Sequence, residues 1–320
     1  MTVGIHARRP RTHVTGAASA AVRPVLEAPR SPARVLAVFP AGVYLEVRTE
    51  LEPSVLAVIT GAATRLPNSV LLAAELPRVT VGDEAAVGDG SIELGRLSVR
   101  ARRWWDPAPP LGRVDPVRLR QAAPRLTPGE PGLAGNDAIE LLAAGCASGR
   151  LLDAVTAAER LVGLGPGLTP SGDDVLAGLL VTLRHLGAAA GAERAVWLAD
   201  WLAATVTYDA RTRTTPISAT LLHCAARGEA GPEVIAVLRG IAGRQELEPA
   251  RRQLRRLGHT SGSDLLQGIS IGLAAVLAMT EAPSPDQAPE APSPDQAPEV
   301  PSPDQAPEVP SPDQALSVTG

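Results

Sequence analysis

The chain has 320 residues and a formal net charge of −4, with 45% of its side chains hydrophobic, enough length for two domains and enough apolar matter for buried cores. All 30 basic residues are arginine, which excludes a Schiff-base lysine and a P-loop lysine. Cys146 and Cys224 are the only cysteines, so a disulfide framework or a four-cysteine zinc site within one chain is excluded, and each is expected to be a small core residue.

Residues 1–32, rich in Arg, Ala and Pro, read as a flexible N-terminal arm without the continuous apolar segment of a signal peptide. Between 33 and 107 the apolar runs are short and separated by Gly, Pro, Asp and Asn. Strands are predicted at 35–39, 43–47, 55–59, 70–74, 92–94 and 97–99, which make a small β-rich domain closed by Trp104-Trp-Asp-Pro107. The proline-rich stretch 108–136 is its connector. From 137 the apolar period becomes helical, with helices predicted at 137–160, 173–186, 194–205, 217–226, 232–242, 249–257 and 264–279. Trp197 and Trp201, four apart, share a helix face and are expected in core or interdomain packing. The predicted fold class is α+β, a small N-terminal β-domain followed by a mostly helical C-terminal domain over 137–280. With only one Phe, two Tyr and four Trp, its core is expected to be packed Ala, Leu and Val. No stretch reads as long and apolar enough to span a membrane, and a soluble, cytoplasmic protein with no membrane partner is expected.

Residues 281–315 hold four near-copies of a nine-residue unit, Glu-Ala/Val-Pro-Ser-Pro-Asp-Gln-Ala(-Pro), and 281–320 read as a disordered, extended acidic tail. This tail carries eight acids, from Glu281 to Asp313, and no base. Without it, 30 arginines face 26 acids, a formal charge of +4. A mildly basic folded part suits a small anionic ligand. No dense basic patch with interleaved aromatics points to nucleic acid.

The richest chemistry lies in Gly163-Leu-Gly-Pro-Gly-Leu-Thr-Pro-Ser-Gly-Asp-Asp174, a glycine loop opening a helix beside two hydroxyls and two carboxylates. Neither common nucleotide signature fits it: Asp173 stands where a P-loop needs lysine, and Leu168 where a dinucleotide loop needs its third glycine. Part of the design returns ninety residues later, where Ser171-Gly-Asp-Asp-Val-Leu-Ala-Gly178 aligns with Ser261-Gly-Ser-Asp-Leu-Leu-Gln-Gly268. Each Ser-x-x-Asp is equally a capping box, so capping and ligand binding stay open. A third helix start, Thr214-Thr-Pro-Ile-Ser218, follows Arg211 and Arg213. It reads as an ordinary cap or as an anion site.

As ligand-binding candidates these motifs supply Gly165, Gly167, Thr169, Ser171, Gly172, Arg213, Thr214, Thr215, Ser261 and Gly262. Asp174, His259 and Asp264 are candidates for orienting a group or moving a proton. The hydroxyls of Ser171, Thr215 and Ser261 are expected around one pocket, because gathering three positive helix ends favours an anion between them. No cofactor is required, although Asp173, Asp174 and Asp264 together are a candidate Mg²⁺ set. Adjacent helical side chains diverge by about 100°, so at most one of Asp173 and Asp174 faces any one ligand.

On Gly163–Gly178, Arg213-Thr-Thr-Pro-Ile-Ser-Ala-Thr-Leu-Leu222 and Gly258-His-Thr-Ser-Gly-Ser-Asp-Leu-Leu-Gln-Gly268, the chain resembles the bacterial AllH-like family, a former domain of unknown function. The resemblance runs from about 34 to 277, matched only in general pattern over the β-rich part, and excludes the tail. AllH is associated with oxamate carbamoyltransferase in anaerobic allantoin breakdown. The resemblance therefore implies a component of a carbamoyltransferase. Its substrate would be of oxamate or oxalurate (ureido) type, used with phosphate or carbamoyl phosphate, and partner subunits are implied as well. A non-catalytic metabolite-binding or scaffolding subunit is the alternative.

Overall fold

The computed structural model describes residues 11–281; the repeat tail and its expected disorder lie outside the described residues. Eight strands fill the N-terminal part: β1 (Thr12–Ser19), β2 (Ser31–Phe39), β3 (Gly42–Val47), β4 (Val55–Ile59), β5 (Ser69–Leu72), β6 (Glu84–Gly88), β7 (Ser91–Leu94) and β8 (Leu97–Trp105). They form a closed barrel in the order β1-β5-β4-β3-β2-β6-β7-β8. Most neighbours are antiparallel, but β4 and β5 run parallel, and so do β1 and β8, whose pairing from Thr12↔Leu97 to Ser19↔Trp105 shuts the barrel.

This closed barrel corrects the expectation of a small β-domain. Two strands carry little strand signal: β1 is Thr-His-Val-Thr-Gly-Ala-Ala-Ser, inside the segment expected as an arm, and β6 is Glu-Ala-Ala-Val-Gly. Alanine and glycine are poor strand formers, so both are held by their neighbours rather than by propensity. Closure removes the exposed edges that a six-stranded sheet would have kept.

The barrel core is built from inward residues such as Val35, Leu45, Leu56, Val58, Ile92 and Leu94. Helix α1 (Arg23–Glu27) adds Val25 and Leu26. All five residues of β4 are buried. Leu56 and Val58 face the barrel core, while the alternate residues are covered from outside it, where Val55 N–H donates to Thr220 Oγ1 at 3.3 Å.

Among the described residues, nine α-helices follow. They are α2 (Pro116–Ala122), α3 (Asp137–Ser148), α4 (Leu151–Leu161), α5 (Ser171–Ala190), α6 (Glu193–Arg213), α7 (Pro216–Ala226), α8 (Pro232–Ile241), α9 (Leu247–Leu254) and α10 (Ser261–Glu281). The helix predicted over 137–160 is two, because Gly149 at φ 67° ends α3 in a left-handed turn and returns its N–H to the Cys146 carbonyl. The barrel and these helices belong to one compact unit.

At the centre of the helices lie α5 and α10, the two copies of the sequence repeat. Their starts touch, with Ser171 Oγ and Thr260 Oγ1 3.4 Å apart, and the helices then run parallel. A Cβ on Gly178 would fall on the Leu265 carbonyl, and one on Gly268 on the Val175 carbonyl. Val175 and Leu265 are equivalent in the repeat, so the glycines pack reciprocally. Gly178→Ala and Gly268→Ala are each expected to cost about 1–3 kcal/mol through overpacking, a fall of several degrees in melting temperature. An unchanged melting curve would show that the two helices separate without cost.

By length and composition α10 can cross a membrane, which corrects the sequence expectation; here it is a largely buried core helix against α5 and α3. Trp197 and Trp201 share a face, at 6.0 Å between ring centroids, but it is an outer one, 51% and 50% exposed. This corrects the expectation of core or interdomain packing, because the four-residue spacing fixes a shared face but not what covers it.

Candidate functional site

The glycine loop runs from the end of α4 to the start of α5. Gly163, Gly165 and Gly167 have φ of 74°, 116° and 96°, the region that disfavours a Cβ. They differ in surroundings. A Cβ on Gly163 would strike the Arg213 carbonyl, one on Gly165 would stand 2.9 Å from the Ser171 nitrogen, and one on Gly167 would meet nothing. Gly167→Ala is therefore expected to cost only the backbone strain, about 1–2 kcal/mol, and Gly163→Ala clearly more. Parallel thermal denaturation of the two variants checks this, and equal losses would contradict it.

The adjacent acids Asp173 and Asp174 turn apart, as helix geometry requires. Asp173, buried, is a structural clamp. Its Oδ1 accepts from Gly163 N–H at 2.7 Å, and its Oδ2 accepts from the Thr214 hydroxyl and from Ser218 Oγ at 2.6 Å. It thus ties the loop to the joint between α6 and α7. Beside it, Thr215 accepts from Ser218 N–H at 3.1 Å as a helix cap and donates to the Leu168 carbonyl at 2.6 Å.

Asp174 is 8% exposed and borders a cavity of about 380 Å³ between the β2–β3 hairpin and helices α5, α7, α8 and α10. Its Oδ2 has no hydrogen-bond partner. Burial raises its carboxyl to about 8. The charges of Asp264 and Asp173 push the same way, and the hydroxyls of Ser261 and Thr169 oppose them. The carboxyl is consequently protonated at neutral pH. Thr169 Oγ1 and Ser261 Oγ, 3.4 Å apart, both border the same cavity. Fully buried Asp264, at the start of α10, accepts from Gly132 N–H at 2.7 Å through Oδ1 and leaves Oδ2 unpartnered.

The remaining candidates divide. Ser171 is buried where α5 and α10 meet, and is the first residue of α5 rather than its cap, a place held by Pro170 without a side-chain bond. Gly172 and Gly262 pack against the Leu161 and Leu254 carbonyls, which makes them close-approach residues. Arg213 is held by Asp209 at 3.0 Å. His259 is exposed. Neither of these two borders the cavity, nor does Thr215, so of the three hydroxyls expected around one pocket only Ser261 lines this one. The three helix starts nevertheless meet around the loop.

The suggested three-carboxylate Mg²⁺ set does not fit this geometry. Both oxygens of Asp173 are engaged by protein donors, and among the described residues no group of three or more His, Cys, Asp or Glu is placed to hold a metal ion.

Sequence reasoning missed the far wall of the cavity. Tyr44 comes from β3, with Phe39 of β2 edge-on to it at 5.6 Å, while Glu229 and Glu233 flank the start of α8. Burial raises the Glu229 carboxyl, against the pull of Arg227, 3.1 Å away. No motif marks these residues, since they lie in an ordinary hairpin and an ordinary turn. Both cysteines are buried, and burial pushes the Cys146 thiol up to about 12, which leaves it a core residue.

Residues 161–273, from the end of α4 to the middle of α10, match the model of the family described as oxamate carbamoyltransferase subunit AllH, in agreement with the resemblance read from the motifs. The match holds the glycine loop, Asp173, Asp174 and both copies of the repeat. No solved structure matches the chain.

Proposed function

We propose that this chain is a component of a carbamoyltransferase that acts on a ureido substrate of the oxamate or oxalurate type, with phosphate or carbamoyl phosphate as the second reactant. The family match supplies the reaction class. The observation that carries the reading to a site is Asp174, a buried carboxyl that holds its proton at neutral pH beside two hydroxyls and a cavity.

In phosphorolysis of a ureido group, a phosphate oxygen attacks the carbamoyl carbon, the carbon–nitrogen bond to the oxamate nitrogen breaks, and that nitrogen needs a proton. Asp174 supplies it, and in the reverse direction the carboxylate takes it back. Thr169 and Ser261 orient the carbamoyl oxygen and stabilise the charge that develops there. No covalent nucleophile is needed. The glycine loop and the Asp173 clamp hold these groups in register, and Asp264 raises the proton affinity of Asp174.

One observation favours a partner. No arginine or histidine is among the residues that border the cavity, and the nearby Arg213 is engaged by Asp209. A phosphate at this site therefore draws its cation from another subunit, which also keeps the non-catalytic, metabolite-binding subunit as the second reading.

Phosphate-dependent cleavage of oxalurate, assayed for the chain alone and with its partner subunits, tests the proposal. Activity is expected only in the assembled enzyme, and Asp174→Asn should lower kcat about 10²–10⁴-fold. The wild-type rate should decline as pH rises past about 8, where the acid loses its proton. An assembled Asp174→Asn enzyme with full activity would leave the chain a scaffolding or binding subunit.

A further inference from the structure

No arginine borders the Asp174 cavity, but several gather around a second one. A recess of about 500 Å³ opens between residues 108–113 of the connector, the last turns of α5 and the turn that joins α7 to α8. Every ionisable side chain that borders it is basic: Arg113 from the connector, Arg184 and His185 from α5, and Arg227 from the turn. Arg244 stands at its rim. It donates to the Arg113 carbonyl at 3.0 Å, and a Cβ on the bordering Gly112 would lie 3.3 Å from its guanidinium. The remaining wall is small and apolar, with Leu111 and Ala188 in it.

Guanidinium groups brought together repel one another unless acids or a ligand neutralise them. Arg184 is paired with Asp200 at 2.8 Å, and Arg227 Nε with Glu229 at 3.1 Å. Among the described residues, Arg113 and Arg244 have no acidic partner. Each guanidinium carries five N–H donors, so the two paired arginines also keep donors to spare. A ligand can reach these groups, because Arg113 and Arg227 are exposed and Arg184 is only partly buried.

Gly228 fixes the arrangement. Its carbonyl accepts from His185 Nε2 at 2.8 Å, and a Cβ on it would stand 3.3 Å from that nitrogen and 3.6 Å from Arg184 Cδ. The α7–α8 turn therefore serves both cavities. Arg227 and Gly228 border the basic one, and Glu229, Ala230 and Gly231 border the one at Asp174. Asp174 and His185 are eleven residues apart on α5, about 16 Å along its axis, so an anion in the recess lies outside the chemistry at Asp174.

We propose that this recess binds a small dianion of the phosphate type, held by Arg113 and Arg227, and that the anion competes with Glu229 for Arg227. Planar guanidinium groups pair their N–H bonds with the oxygens of a phosphate, which brings twice the charge of a single carboxylate. Because Glu229 also stands on the wall of the Asp174 cavity, occupation of the recess alters the charge there, and linkage makes the effect reciprocal. Free phosphate and a phosphate monoester share this head. The monoester would lay its body along Leu111 and Ala188.

Titration calorimetry of the full chain alone at pH 7.5, with phosphate, phenyl phosphate and acetate, tests the proposal. The Asp174 cavity offers phosphate no cation, so binding by the chain alone reports on the recess. Phosphate is expected to bind about ten-fold tighter than acetate or better, and Arg113→Ala and Arg227→Ala should each weaken it about ten-fold. Arg113 has no ion pair to lose, so Arg113→Ala should leave the melting temperature of the free chain unchanged. Glu229→Gln releases Arg227 and should tighten phosphate about three-fold or more. Arg102→Ala, which removes an exposed arginine of β8, should change nothing. Under the proposal, tighter binding of phenyl phosphate than of phosphate identifies the ligand as a monoester, and weaker binding identifies it as the free ion. No phosphate binding, acetate binding as tightly, or phosphate affinity that survives the double variant Arg113→Ala/Arg227→Ala would overturn the inference.

Discussion

Asp174→Asn is expected to stabilise the protein by several kcal/mol at pH 8 and to leave its stability nearly unchanged at pH 4. The carboxyl midpoint is raised to about 8 in the folded chain, chiefly by burial, from 3.8 for an ordinary aspartate. Between those values the folded state binds a proton that the unfolded state has released, so stability falls as pH rises, by up to about 1.4 kcal/mol per pH unit. Above about pH 8 both states are ionised and the penalty is complete. Asparagine has the same shape and never ionises, so it escapes the penalty. Chemical denaturation of both proteins at pH 4, 6 and 8 should give a difference that widens with pH, and a constant difference would refute the buried-acid description. The same substitution is expected to lower kcat about 10²–10⁴-fold, so that the more stable protein is the less active one, the trade-off of a destabilised site kept for function.

Asp173→Ala is expected to do the opposite, costing about 3–5 kcal/mol at neutral pH and lowering the melting temperature by about 10 °C or more. Its carboxylate accepts from the Gly163 amide, the Thr214 hydroxyl and Ser218 Oγ, all at a buried joint. Alanine leaves those three donors unmatched, and unmatched buried donors each carry a desolvation cost of about 1–3 kcal/mol. The variant should also loosen the glycine loop, readable as faster amide hydrogen exchange at Gly163. A melting temperature within a degree or two of wild type would show that the clamp is dispensable. Neighbours in sequence and alike in chemistry, the two aspartates thus respond with opposite signs.

That contrast marks what the sequence could and could not disclose. The divergence of Asp173 and Asp174 was legible from helix geometry, but which one faced the cavity depended on Thr214 and Ser218, forty and more residues away. The repeat of Ser171–Gly178 in Ser261–Gly268 was legible, and it proved to be two parallel helices locked by Gly178 and Gly268. The ends of β4 and of α7 were placed within a residue, since their apolar runs end at proline, glycine or polar turns. Barrel closure was not legible, because strand order is a long-range property and β1 and β6 are built of small residues. Tyr44, Glu229 and Glu233 were hidden for a related reason: only the packing of barrel against helices brings them to the wall opposite Asp174. Thr215 and His259 looked chemical and are, in the fold, a helix cap and an exposed side chain.

The account depends most on a proton held by Asp174 at neutral pH. Carbon-13 NMR of the aspartate carboxyls, with the Asp174 signal assigned by its loss in Asp174→Asn and followed from pH 3 to pH 10, measures that proton directly. The account predicts that this one carboxyl is still protonated at pH 7 and titrates near pH 8. A midpoint near 4, the ordinary value for an exposed aspartate, would contradict it.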